Sequence, residues 1–240
     1  MTENDVPRCA VYIDGLNFYH SAVRKTPSRW LDIVEFARLL ALPGRVARVL
    51  YVTGRLTGGD TSDGDSHVRQ REYLKALSAR GGVEVVIHNF VVPTKPRVVS
   101  QGQSWAERTH PSLPADLVRR LDAIDDASQE KRRVRVRLPE EKMTDVALSV
   151  AMVNDYHLGI CDRSILVAND SDYRPALETL GGFDHNVHVV SPAETVSKHI
   201  RNDKLWSAEA LDRAILGSCQ LPNVVVAADG REFKKPKAWY

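Results

Sequence analysis

The sequence predicts an α/β protein built on one mainly parallel sheet. Short apolar runs rich in β-branched residues alternate with stretches of helical periodicity, the pattern of strands joined by crossover helices. Two of these runs end abruptly in acid. Cys9-Ala10-Val11-Tyr12-Ile13 leads into Asp14, and Ser164-Ile165-Leu166-Val167-Ala168 leads into Asn169-Asp170-Ser171-Asp172. Continuous apolar runs of this kind read as strands buried on both faces. The length of 240 residues suits one large α/β domain, or one domain carrying an insertion.

The first strand covers Cys9 to Ile13, and a helix follows from Leu16 to about Val23. Trp30 to Leu42 reads as a helix with Ile33, Phe36, Ala37 and Leu40 on one face and Asp32 capping its first turn. Arg45 to Thr53 is the second strand, and the Gly/Asp/Thr/Ser-rich stretch 54–66 is a loop. His67 to Ala79 reads as a helix with Tyr73, Leu74 and Leu77 inward, stopped by Gly81-Gly82. Val83 to Val92 is a strand. Residues 93–116 carry four prolines and read as loop, and Val134 to Leu138 is a short strand of alternating Arg and Val. The stretch 93–138 is therefore expected as an excursion within a single domain spanning 1–240.

Thr144 to Tyr156 is the next helix, with Val146, Ala147, Val150, Ala151 and Val153 as its apolar stripe. Strand Ile165 to Ala168, helix Tyr173 to Leu180 and strand Val187 to Val190 follow. Helices are expected over Thr195 to about Ile200 and over Ala208 to Leu216. The tail, 221–240, suggests a hairpin around Ala228-Asp229-Gly230.

Composition narrows the function classes. Apolar residues make up 43% and charged residues 27%, ordinary for a globular protein. A net charge of +2 permits a nucleic-acid partner without demanding one, so any basic footprint must be local. Three cysteines without CxxC spacing read as buried reduced thiols with no disulfide partner. No apolar run approaches membrane-spanning length, and the polar N-terminus does not read as a signal peptide, so a cytoplasmic location is expected. The histidines lack zinc-site spacing, and there is no GxxxxGK[ST], strand-linked GxGxxG or GxSxG.

What remains is acid at strand ends. In open α/β sheets ligands sit beyond the carboxyl ends of the strands. Asp14 with Asn17 at one end and Asp170 with Asp172 at the other would form a carboxylate pocket suited to a hard divalent cation. Each pair also has a plainer explanation as a helix cap. Asp145 opens an apolar helix, where the helix dipole alone accounts for an acid, and Asp155 lies ten residues further on, either reaching the cleft or solvated. Arg133, Arg135 and Arg137 alternate onto one face of a strand, the best local basic stripe, to which Arg69 and Arg71 could add. A solvated edge strand is the alternative.

Four ordered segments now bear on family. They are Val11-Tyr12-Ile13-Asp14-Gly15-Leu16-Asn17-Phe18-Tyr19, Arg69-Gln70-Arg71-Glu72-Tyr73-Leu74, Glu141-Lys142-Met143-Thr144-Asp145-Val146 and Leu166-Val167-Ala168-Asn169-Asp170-Ser171-Asp172-Tyr173. Together they resemble the motifs of NYN-domain proteins, a branch of the PIN-like nuclease superfamily. The tail from Gln220-Leu221-Pro222 through Asp229-Gly230 to Lys235-Pro236-Lys237-Ala238-Trp239 resembles the ending of one bacterial subgroup, so the resemblance covers nearly the whole chain. It implies a PIN-like three-layer α/β/α sandwich and metal-dependent cleavage of RNA. By resemblance Asp14, Asp145, Asp170 and Asp172 would ligate Mg²⁺ or Mn²⁺, and Asn17 would position Asp14 or substrate. Ala168 replaces a Ser common in the last motif. Ala151 stands where some branches carry a further Asp, a role the subgroup resemblance transfers to Asp155. A non-catalytic RNA- or protein-binding domain and a metal-dependent phosphohydrolase of small nucleotides are the alternatives. PIN-like proteins often pair, so a homodimer or larger assembly is an open expectation.

Overall fold

A computed structural model of the protein describes residues 6–56, 64–89, 94–98, 133–137, 143–201 and 203–240, with 94–98 and 133–137 described as backbone. The chain divides into two compact units. One comprises Met1–Gly54, Arg69–His88 and Met143–Tyr240; the other comprises Arg55–Val68 and Asn89–Lys142, and so includes the stretch 93–138 expected as an excursion.

The first unit is organised by a six-stranded sheet. Its strands are β1 (Arg8–Asp14), β2 (Arg45–Arg55), β3 (Glu84–Asn89), β6 (Arg163–Val167), β7 (Asn186–Ser191) and β8 (Ser207–Ala210), in the order β3-β2-β1-β6-β7-β8. The pairings β1–β2, β1–β6, β6–β7 and β7–β8 are all parallel. Side chains alternate across the sheet. Cys9, Val11 and Ile13 join one buried cluster with Phe36 of α2 (Ile33–Ala41) and Leu74 and Leu77 of α3 (Ser66–Arg80). Ala10 and Tyr12 join the opposite cluster with Leu148 and Met152 of α4 (Thr144–His157) and Leu177 of α5 (Arg174–Gly182). Helices therefore cover both faces of a parallel sheet, the three-layer PIN-like sandwich the sequence implied.

Local chemistry explains most boundaries. Asp32 caps α2 by accepting from the N–H groups of Val34 and Glu35 at 3.0 and 3.1 Å, so that helix starts at Ile33 and not at Trp30. After β1 the chain forms α1 (Gly15–Phe18) and continues as a π-helical turn, Tyr19–Val23. The expected hairpin is present as β9 (Val224–Val226) paired antiparallel with β10 (Glu232–Lys234), and Gly230 takes φ 81° in its turn. Trp239 from the tail packs against Trp30 and Tyr73, with ring centroids 6.1 and 6.0 Å away.

Several expectations are corrected. The stripe on α4 is a different one: Thr144, Leu148, Met152 and Asp155 are buried, while Val146 and Val150 are 66% and 62% exposed. The helix is apolar nearly all round between these residues, so its periodicity could not select the inward face. No helix forms over 195–200, where the chain runs in bends and turns tied by side chains. Nor does Ala208 to Leu216 form one helix. Ser207–Ala210 instead extends the open edge of β7 as β8, and the helix shrinks to α6 (Ile215–Ser218). Pairing an exposed strand edge outweighs the helix propensity of Ala.

In the second unit, β4 (Thr94–Val98) pairs antiparallel with β5 (Arg133–Arg137). The sequence suggested loop for 94–98 as part of the proline-rich stretch 93–116, which includes Pro96. That proline lies opposite Arg135 in a two-stranded ribbon. Both strands of such a ribbon have a free edge, where a missing N–H is tolerated.

Candidate active site at the β1 and β6 strand ends

The chain moves from β1 towards β2 and β3 on one side of the sheet, and from β6 towards β7 and β8 on the other. The strand order therefore reverses between β1 and β6, the switch point at which doubly wound sheets open a crevice for ligands. The register places Ile13 beside Val167, so Asp14 and the segment Ala168-Asn169-Asp170 leave adjacent strands at the same edge.

Asp14 is 5% exposed and uses both carboxylate oxygens. Oδ1 accepts from the N–H of Asn17 at 3.0 Å, which caps α1, and Oδ2 accepts from the hydroxyl of Tyr173 at 3.1 Å. Burial pushes the Asp14 carboxyl up to about 6; the Asn17 and Tyr173 hydrogen bonds oppose the rise, and the charges of Asp145 and Asp170 add to it. Asp145, in the first turn of α4, is also pushed up by burial. The Tyr173 hydroxyl counters that rise, and the negative charges of Asp170 and Asp172 reinforce it. Four acids named from the sequence thus feel one another across the strand ends.

Asp170 Oδ1 accepts from the N–H of Asp172 at 3.1 Å and caps a 3-10 turn, Ser171–Tyr173. Its Oδ2 accepts no hydrogen bond from the described residues. Asp172 is exposed. Asp14 and Asp170 each cap the turn that follows, and each cap uses a single oxygen.

Asn17 touches both strand ends. Its backbone, not its side chain, bonds Asp14, and its Oδ1 accepts from the N–H of Asn169 at 3.1 Å, tying the two strand ends together. Packing dictates glycine at position 15. Gly15 begins α1 without left-handed backbone; a Cβ there would lie 2.6 Å from the Tyr51 ring and 2.8 Å from Thr53 Cβ. The requirement is close approach to β2.

Sequence reasoning missed Tyr173 as a site residue. Its ring is fully buried beside Leu177 and Leu180 in the core. Its hydroxyl donates to Asp14, and burial with the charges of Asp14 and Asp145 holds the phenol far above its ordinary range. The available signal was its place directly after Asp172, but an aromatic one turn into a helix reads as core.

Asp155 does not join the cluster. Ten helical residues carry it about 15 Å along the axis from Asp145. Arg48 holds it there, donating from Nη1 at 2.6 and 2.7 Å, and the Tyr12 hydroxyl donates to Oδ2 at 2.7 Å. Arg48 also bonds Glu84 at 2.6 Å. Asp155 is a buried ion-pair member at the far half of the sheet and does not replace the acid absent at Ala151. Arg133, Arg135 and Arg137 lie on β5, opposite Val98, Pro96 and Thr94; their side chains fall outside the described residues. Arg69 and Arg71 lie on α3, the first half-buried and the second exposed.

Among the described residues no three His, Cys, Asp or Glu side chains converge into a complete metal cage. Mg²⁺ does not require one, because it keeps several waters and takes one or two carboxylates beside substrate phosphate. Carboxylates that raise one another's pKa offer hard oxygen donors with charge left to neutralise, and that donor chemistry fits such an ion.

The chain is 29% identical to a protein of Pseudomonas putida named 6-hydroxy-3-succinoylpyridine 3-monooxygenase HspA, over 97% of this chain and 75% of that one. A solved structure of a Vibrio parahaemolyticus protein of unknown function aligns with 89% of this chain and 98% of its own, at 16% identity and a TM-score of 0.44. The family model for the NYN domain matches residues 8–205, a span that holds both strand ends and all four clustered acids, and on that match the chain belongs to the NYN domain family.

Proposed function

We propose that this protein is a metal-dependent ribonuclease acting in the cytoplasm. NYN domains belong to a nuclease-like superfamily and typically bind RNA, and no helix among the described residues is long and apolar enough to cross a membrane. The observation that carries the reading is the placement of Asp14 and Asp170 at adjacent strand ends of the switch point, with Asp145 near enough for its charge to act on Asp14 and Tyr173 donating to Asp14.

In this reading Asp14, Asp145 and Asp170 hold Mg²⁺ or Mn²⁺, with Asp172 completing the set or taking a proton from the attacking water. When bound, the cation supplies Lewis acidity and neutralises charge that develops on the phosphodiester. The chain's own residues fix the geometry. The Asn17 N–H and the Tyr173 hydroxyl hold the Asp14 carboxylate in one orientation, and the Asn17–Asn169 bond keeps the two strand ends in register. Arg133, Arg135, Arg137, Arg69 and Arg71 are the candidate contacts to the RNA backbone.

The test is cleavage of labelled single-stranded RNA with Mn²⁺, Mg²⁺ or EDTA, beside Asp14→Asn and Asp170→Asn. Metal-dependent cutting lost in both variants supports the reading; cutting indifferent to both overturns it. Retention of RNA without cutting marks a binding domain, and turnover of mononucleotides alone marks a small-substrate phosphohydrolase. The extent of the match to the Pseudomonas putida protein favours a second reading, hydroxylation of a substituted pyridine. Oxygen-dependent consumption of 6-hydroxy-3-succinoylpyridine with a two-electron donor is its assay.

A further inference from the structure

The loop that joins β7 to β8 leaves the sheet at the same edge as Asp14 and Asp170, because β7 is parallel to β6. Side chains that bracket the acidic turn fasten it there. Asn169 Nδ2 donates to the Thr195 carbonyl at 3.2 Å, and the Ser197 N–H donates to Asn169 Oδ1 at 2.8 Å. Arg174 Nη1 donates to the His199 carbonyl at 3.0 Å, while its guanidinium lies 5.7 Å from the Trp206 ring centroid. Asn169 and Arg174 flank Asp170 to Tyr173. Lys198 lies between the two fastened residues, so its backbone is pinned on both sides to the edges of that turn.

The loop is basic in a protein that is nearly neutral overall. Lys198, His199, Arg201 and Lys204 are exposed around Ile200, which is fully buried and whose carbonyl accepts from Trp206 Nε1 at 3.1 Å. Two acids share the loop: Glu194 faces Arg213 at 3.5 Å, and Asp203 Oδ1 accepts from the Lys204 N–H at 2.7 Å. Lys198, Arg201 and Lys204 form no ion pair with the described residues. Three unpaired cations on a loop fastened to a carboxylate cluster have an evident partner, a polyanion lying across both. Their spread over seven residues exceeds what one phosphate monoester would engage, which favours successive phosphates of a strand.

We propose that Lys198, with Arg201 and Lys204, is a phosphate-binding rim that carries the backbone of single-stranded RNA past the acidic site. This deepens the ribonuclease reading and rests on it for the identity of the polyanion. The test is binding of a fluorescent single-stranded RNA to the full chain in EDTA, followed by anisotropy from low to high salt. A contact to single-stranded nucleic acid contributes about 0.7 to the slope of log K against log salt, so its loss costs about eight-fold at about 50 mM relative to about 1 M salt. Lys198→Ala is expected to weaken binding by about that factor at low salt and lower the slope by about 0.7, with Lys198→Arg restoring both. Arg45→Ala is the charge control. Arg45 pairs in register with Arg8, six residues before Asp14, which sets it about 20 Å from the strand ends. Equal losses in Lys198→Ala and Arg45→Ala, or no loss in Lys198→Ala, would overturn the proposal. The same preparations assayed with Mn²⁺ separate the two ideas. RNA binding that depends on Lys198 without cutting retains the rim and removes the ribonuclease; cutting with unaltered Lys198→Ala binding does the reverse.

Discussion

Asp14→Asn should make the protein more stable in EDTA while removing the proposed ribonuclease activity. The Asp14 carboxyl is raised by burial from 3.8 to about 6. About two units at ~1.4 kcal/mol each correspond to ~3 kcal/mol by which the folded state disfavours the charged form at neutral pH. Asparagine carries no charge and still accepts from the Asn17 N–H, but it gives up its acceptor towards Tyr173, a loss of about 1 kcal/mol. The net expectation is a gain of about 1–2 kcal/mol in EDTA at pH 8, a rise in urea midpoint of about 0.5 M for an m of about 3 kcal/mol/M. The sign of the pH dependence follows from the raised folded value. The Asp14 contribution is fully present below about 3.8 and is lost as pH rises through about 6. The advantage of the variant must therefore shrink, and then vanish, as pH falls from 8 towards 4. Added Mn²⁺ should raise the midpoint of the parent protein and leave that of the variant in place. A variant less stable than its parent at pH 8 in EDTA, or a difference that does not change with pH, would refute the reasoning.

Tyr173→Phe keeps the buried ring and removes the hydroxyl that donates to Asp14, so Mn²⁺ affinity measured by calorimetric titration should fall about 10-fold, and an unchanged affinity would show that the hydroxyl orients nothing. Asp155→Ala leaves the buried Tyr12 hydroxyl without its acceptor and Arg48 with Glu84 alone, and should cost about 2–3 kcal/mol in urea unfolding. Mn²⁺ affinity should be unchanged in Asp155→Ala; a fall would return Asp155 to the metal set. Gly15→Ala drives a Cβ into the Tyr51 ring and Thr53 and should cost about 1–3 kcal/mol, where a merely flexible turn would accept alanine at little cost.

The order of strands and helices was legible because burial on both faces makes a parallel strand apolar throughout. That is why β1 and β6, and the acids at their ends, could be read directly. The same property hid the inward face of α4, where Val146 and Val150 carry as much apolar character as Leu148 and Met152 yet face outward. The expected helix at Ala208 failed for a related reason. Helix propensity is a local quantity, and the open edge of β7 is not.

The sequence by itself determined that this chain folds as a parallel α/β sheet with acids at two strand ends, since apolar pattern and chain direction suffice for both. Only the tertiary structure decided which acids meet. Asp145 and Asp155 lie on one helix and look equivalent in sequence, but a helix lying along the sheet carries one end to the strand termini and the other to Arg48 and Tyr12. Tyr173 and the Asn169–Ser197 fastening depend on contacts between segments 159 and 28 residues apart, and no local pattern encodes a distance of that kind.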